Sequence, residues 1–165
     1  MRTSDPLDPI DALYEEHDAA LAQLEILGRT ADEMAEGGPG PDTLGRFDAA
    51  LAFLEGKVRE HNQWEENHLF PLLELRIGPG GPSGVMRAEH ATLWQAYARL
   101  EPLHRAVKEG TADATTLRQI SEVTHEIVEL LSDHIAKENE ILFPMARRML
   151  SPKDLESLRE ARPRA

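Results

Sequence analysis

Apolar residues recur along this chain at helical intervals, and histidines sit among them. Leu13, His17, Leu21, Leu24 and Gly28 follow the 4-4-3-4 spacing of one helical face. Met86, His90, Leu93, Trp94, Tyr97 and Leu100 form a second such stripe, so both histidines should point into a bundle. Gly37-Gly38-Pro39-Gly40-Pro41, Gly78-Pro79-Gly80-Gly81-Pro82 and the weaker Gly110-Thr111 divide the chain. The pattern predicts helices over about 9–35, 42–77, 83–109 and 113–149. Asp8-Pro9 and Ser151-Pro152 each read as a capping residue followed by proline at the first helical position, the second opening a short fifth helix. The expected fold is all-α: an up-down-up-down four-helix bundle over residues 8–150, then a short C-terminal helix and tail over 151–165.

The pattern also repeats. His17 is followed 44 residues later by His61, then by Glu65 and Leu69-Phe70-Pro71. His90 is followed 44 residues later by His134, then by Glu138 and Leu142-Phe143-Pro144. The offset between copies is 73 throughout (90 − 17, 134 − 61, 138 − 65, 144 − 71). Two helical hairpins related by a pseudo-twofold axis would bring the copies face to face in the core. Pro71 and Pro144 are expected to kink or break their helices, and Pro102 to disturb the third.

Composition narrows the classes of function. The 165 residues are 41% hydrophobic and 29% charged, ordinary for one globular domain. A net charge of −12 argues against a nucleic-acid partner or an anionic membrane surface. There is no stretch of roughly 20 apolar residues to span a bilayer, and Met1 to Pro6 lack the apolar core of a signal peptide. Cytoplasm is the default expectation, and nothing in the pattern specifies an oligomeric state. The absence of cysteine removes disulfides, thiolate metal sites and cysteine nucleophiles.

The repeat carries the chemistry. His61 and Glu65, like His134 and Glu138, are four residues apart and so stack one turn apart on one helical face. Either pair alone would be an ordinary surface ion pair. Four histidines and two glutamates converging on one core would instead leave charges and lone pairs unpaired, at several kcal/mol apiece. Two metal ions resolve that cost: each would take two imidazoles, and the carboxylates would be placed to bridge. The mixed donor set suits non-haem iron, with manganese and zinc as competitors. The ferritin-like arrangement uses a Glu-x-x-His spacing that is absent here.

These residues resemble the hemerythrin-like family, also called the HHE cation-binding domain. The likeness rests on His17, His61 to Glu66 with Leu69-Phe70-Pro71, Glu89-His90, and His134 to Asn139 with Leu142-Phe143-Pro144. It implies a carboxylate-bridged centre of two iron ions, with His17, His61, His90 and His134 as terminal ligands and Glu65 and Glu138 as bridges. The oxygen carriers of the family have a fifth histidine one turn after the helix-three ligand, where this chain has Trp94. They also have an aspartate five residues after the helix-four histidine, where this chain has Asn139. The expectation is therefore reaction with O2, H2O2 or NO in oxidative or nitrosative stress, instead of reversible oxygen carriage. The alternative is iron or oxygen binding and sensing without turnover. Relatives that repair damaged iron–sulfur clusters carry an N-terminal cysteine-containing segment, which this sequence does not show.

Other polar residues receive plainer readings. His68, two turns after His61, is expected at the rim of the core; His104 is too far along its helix to reach the same metals; His125 should face solvent. Tyr14 and Tyr97 can approach the site but serve better as packing residues. Glu66 and Glu89 should support the ligands from outside or lie at the surface. The remaining acids of helix one, and the stretch from Glu156 to Ala165, read as solvated.

Overall fold

Asp8 caps the first helix as its place before Pro9 predicts: its carboxylate accepts from the N–H groups of Ile10 and Asp11 at 2.8 and 3.2 Å. A computed structural model describes residues 8–163. The expectation for Met1 to Pro6 and the last two tail positions lie outside the described residues. Helix α1 is Pro9–Gly37. Helix α2 comprises the stretches Pro41–Phe53, Arg59–Trp64 and Phe70–Ile77, joined by π-helical turns Leu54–Val58 and Glu65–Leu69. Helix α3 is Pro82–Lys108. Helix α4 comprises Ala114–Lys137 and Phe143–Met149, joined by the π turn Glu138–Leu142. Helix α5 is Pro152–Ala161, opened by a reciprocal capping box between Ser151 and Asp154. Gly38, Gly78 and Gly110 terminate α1, α2 and α3 at positive φ, where a side chain would be strained.

Helix α1 packs closely against α2 and α4, and α3 against α4, giving the expected all-α bundle with no strand among the described residues. Leu21 departs from the predicted stripe of α1: it is exposed, and Ala20 and Leu27 continue the buried face instead. Two apolar clusters fill the interior. One includes Leu24, Leu27, Phe47, Leu54, Leu100, Ile120 and Leu131. The other, at the α5 end, includes Ile10, Leu13, Phe70, Leu73, Phe143 and Leu158. The repeat histidines and glutamates form a buried polar layer between them.

The prolines of the repeat do not break their helices. Glu65 opens the π turn before Pro71 and Glu138 the one before Pro144, and the N–H groups of Phe70 and Phe143 reach back five residues to the carbonyls of Glu65 and Glu138. The widened turn accommodates the proline ring, and other elements occupy carbonyls nearby. Arg87 donates to the Glu66 carbonyl at 3.1 Å, and Tyr14 to the Asn139 carbonyl at 2.9 Å. Both donors and both acceptors are offset by 73 residues. Pro102 likewise leaves α3 continuous, because it lies on the exposed face, where water can take the carbonyl it leaves unpaired.

Candidate metal centre

Each helix of the bundle contributes to the polar layer. α1 supplies His17, α2 His61 and Glu65, α3 His90, and α4 His134 and Glu138; all six are buried. The structure thus brings every site residue predicted from the repeat into one cluster, and their donor atoms form two overlapping groups, each containing both glutamates and one histidine pair.

The outer nitrogens of the imidazoles are spoken for. Nδ1 of His61 lies 3.3 Å from Glu16 Oε1, that of His134 3.0 Å from Glu89 Oε1, that of His90 3.1 Å from Glu66 Oε1, and that of His17 2.7 Å from Asn139 Oδ1. Oxygens of this kind only accept, so in the neutral form of each ring, the form that binds a metal, Nδ1 carries the proton and Nε2 turns a lone pair inward. Those lone pairs face each other: the Nε2 atoms of His17 and His61 are 3.1 Å apart, and so are those of His90 and His134.

The glutamates span the two pairs. Glu138 Oε1 is 3.2 Å from His17 Nε2 and 3.0 Å from His134 Nε2. Glu65 Oε1 is 3.2 Å from His61 Nε2 and 3.5 Å from His90 Nε2. Both side chains are 0% exposed, and none of their four oxygens has a hydrogen bond of regular geometry.

Without a cation this arrangement is electrostatically awkward. Burial, and then the charge of Glu138, push the Glu65 carboxyl well above the ordinary range. Burial would raise Glu138 too, but proton sharing with Glu65 and the surrounding imidazoles hold it well below. Burial and the neighbouring His134 push His90 down to about 4. Burial opposes protonation of His61 and His134 as well, yet the adjacent carboxylates raise both. Opposed lone pairs and orphaned carboxylate oxygens are what bound cations relieve. Two nitrogens on one ion at right angles, each bonded at roughly 2.1 Å, lie about 3 Å apart, so the donors fit a pair of metal ions.

Aromatic rings fix the imidazole planes. His17 stacks on Phe143 at 5.1 Å between centroids, and His90 on Phe70 at 5.8 Å. Each phenylalanine of the repeat therefore supports the lone histidine of the other copy. A mostly apolar cavity of about 290 Å³ reaches the layer past Ala20, Phe53, Val58, Leu131 and Ile135. Its inner end is formed by His17, His61, His134 and Glu138.

Residues outside the cluster sort cleanly. His68 is exposed against Trp64, because the π turn Glu65–Leu69 rotates less per residue than an α-helix and so carries His68 off the face of His61. His104 bonds to Asp48 and the exposed His125 to Asp32. Trp94 is half-buried beneath the guanidinium of Arg59 and stacked on Tyr97. The prediction overlooked Glu16, Asn139 and the two phenylalanines as supports, although Glu16-His17 and Glu89-His90 are themselves a repeat at offset 73. Glu16 is not merely solvated: burial would raise its carboxyl, but His61 and Arg162 draw it down to about 2.

An all-helical bundle enclosing a duplicated histidine–carboxylate cluster defines a class of cation-binding domain. The chain belongs to the hemerythrin HHE cation-binding domain family, whose model matches residues 8–150. It is similar to proteins named iron-sulfur cluster repair protein YtfE. That of Dickeya chrysanthemi (strain Ech1591) is 29% identical over 141 residues, covering 84% of this chain and 63% of the relative. That of Cronobacter sakazakii (strain ATCC BAA-894) is 26% identical over 136 residues, covering 81% and 60%. The chain thus spans about three-fifths of the length of these relatives. Among the described residues no helix is long and apolar enough to cross a membrane.

Proposed function

We propose that this chain is a non-haem di-iron protein of the oxidative or nitrosative stress response, reacting in the cytoplasm with O2, H2O2 or NO. His17 and His61 would hold one iron and His90 and His134 the other, with Glu65 and Glu138 as shared carboxylate ligands that would bridge them, within a domain at residues 8–150. The observation that carries the reading is the pair of wholly buried carboxylates, each within 3.5 Å of imidazoles from both copies and neither regularly hydrogen-bonded. When bound, the irons would supply redox capacity and open coordination positions for a small ligand. The protein's own part is to orient the imidazoles through their Nδ1 partners and to exclude bulk water. The apolar cavity also favours small uncharged ligands over anions.

Elemental analysis of the purified chain, followed by stopped-flow mixing of the reduced protein with each ligand, tests the reading. About two irons per chain and rapid reaction with at least one ligand are expected. A chain that takes up no iron refutes it. Two iron ions with ligand binding but no turnover would instead favour an iron or oxygen sensor. The relatives' name supports a further reading, service to iron–sulfur clusters. Recovery of activity in a nitric-oxide-damaged cluster enzyme, dependent on the iron-loaded chain, would favour that one.

A further inference from the structure

The C-terminal helix was expected to end in solvent, and instead it reaches the metal centre. Leu158 is buried at 1% exposure, and Arg76 on α2 holds Asp154 at 2.7 Å. Just beyond α5, Arg162 donates from Nη1 and Nη2 to both oxygens of Glu16, each at 3.0 Å. Its guanidinium lies 5.0 Å from the centre of the Trp64 ring, whose Nε1 donates to the Ala161 carbonyl at 3.2 Å. The other oxygen-to-imidazole link of this chain of contacts is Glu16 to His61.

The second copy solves the same problem differently. Glu89, the counterpart of Glu16, is held by Lys137 Nζ at 2.6 Å, from the same helix as the imidazole it supports. Lys137 is the repeat counterpart of Trp64 (64 + 73). Where the second copy carries its own cation, the first carries an indole on which a cation from α5 docks. The need is greater on that side. The 3.3 Å contact of Glu16 with His61 is the longest of the four Nδ1 contacts, and the Glu16 side chain is 37% exposed. A half-exposed carboxylate at that distance keeps little rotational hold on a ring unless something else fixes it.

We propose that Arg162 is a positioning residue of the metal centre: through Glu16 it fixes the orientation of His61, so that the C-terminal helix governs how firmly the first half-site keeps its metal. The two half-sites are then held by separate cations, Arg162 for one and Lys137 for the other. This rests on the di-iron reading above.

The test is release of ferrous iron from the loaded full-length protein to a chelator, in the absence of oxygen, with Mössbauer spectra identifying which iron remains. Arg162→Ala should loosen one iron of the two on the order of 10–100-fold, the range for loss of a ligand's outer partner, and leave the other as in wild type. Lys137→Ala should loosen the opposite iron. Arg162→Lys should restore part of the hold, and Trp64→Lys in the Arg162→Ala background should restore it by supplying the cation as the second copy does. Arg162→Gln keeps the stem over Trp64 and serves if the alanine variant folds poorly. Unchanged release of both irons from Arg162→Ala overturns the proposal. So does equal loosening of both irons with a lowered melting temperature of the metal-free chain, which would mean a prop for the fold alone. A wild-type chain that binds fewer than two irons overturns the di-iron reading itself, and this proposal with it.

Discussion

The two copies of the repeat agree closely where they meet the metal positions and diverge in the layer outside. Histidine pairs, glutamates, the π turns that the glutamates open and the stacked phenylalanines correspond at an offset of 73 residues, while the π turn Leu54–Val58 has no counterpart. Of the supports, Glu16 and Glu89 correspond as well, but Glu66 is matched by Asn139. The second pair, His90 and His134, leans on two carboxylates, Glu66 and Glu89. The first pair, His17 and His61, leans on one amide, Asn139, and one carboxylate, Glu16. The cavity also opens onto the first pair more than the second, since His17 and His61 line it and His90 does not. A carboxylate behind an imidazole raises its basicity more than an amide does. Duplication therefore set the donor geometry, and divergence outside it made the half-sites unequal: one better supported, one better placed for an incoming ligand.

Several changes would break or sharpen that comparison. The largest effect is expected from Glu138→Ala, which removes a carboxylate both halves share. If the proposed di-iron centre is present, iron should fall from two per chain to at most one. Retention of wild-type iron in this variant would remove Glu138 from the site. Next come His17→Ala and His90→Ala, each expected to leave one bound metal; with an intact cavity, only the His90 variant should still show fast ligand binding. Loss of both metals in both variants would mean that the halves cannot be separated.

A subtler change makes the halves alike. Asn139→Glu should tighten the first half-site by about tenfold in chelator competition, the lower end of what an outer partner contributes. Identical competition curves would place the inequality elsewhere. The smallest effect concerns α5. The Ser151 backbone, the Arg76 guanidinium and the Ser151 hydroxyl hold Asp154 below its ordinary range against a small opposing effect of burial. A carboxyl lowered in the folded state stabilises fully above its unfolded value and loses that contribution as pH falls through the folded one. Docking of α5, followed by Trp64 fluorescence, should therefore weaken on acidification below about pH 4. An increase in docking on acidification would contradict the capping role.

How much of this was legible depended on whether a feature recurs. His17, His61, Glu65, His90, His134 and Glu138 stand out because two copies keep them in step, and the helices that carry them are bounded by glycine and proline. Glu16 could have been found the same way, yet it sits in an acid-rich run that reads as a solvated face. The π turns leave no compositional mark. Their presence shows only as a broken phase, as when His68 misses the face that His61 occupies. Arg162 has no periodic signal at all: its partner lies 146 residues away, and only the folded chain brings them together.

The polar layer also divides the molecule for folding. Two apolar clusters lie on either side of it, joined by helices that run straight through. A layer of opposed lone pairs and unmatched carboxylates resembles a fault plane, and a fault plane is where a structure yields first. Bound cations would turn that plane into a weld. Loaded protein would then melt as one cooperative unit, whereas the stripped chain would loosen from the middle outward, with the amide hydrogens of the central turns exchanging before those of either cluster.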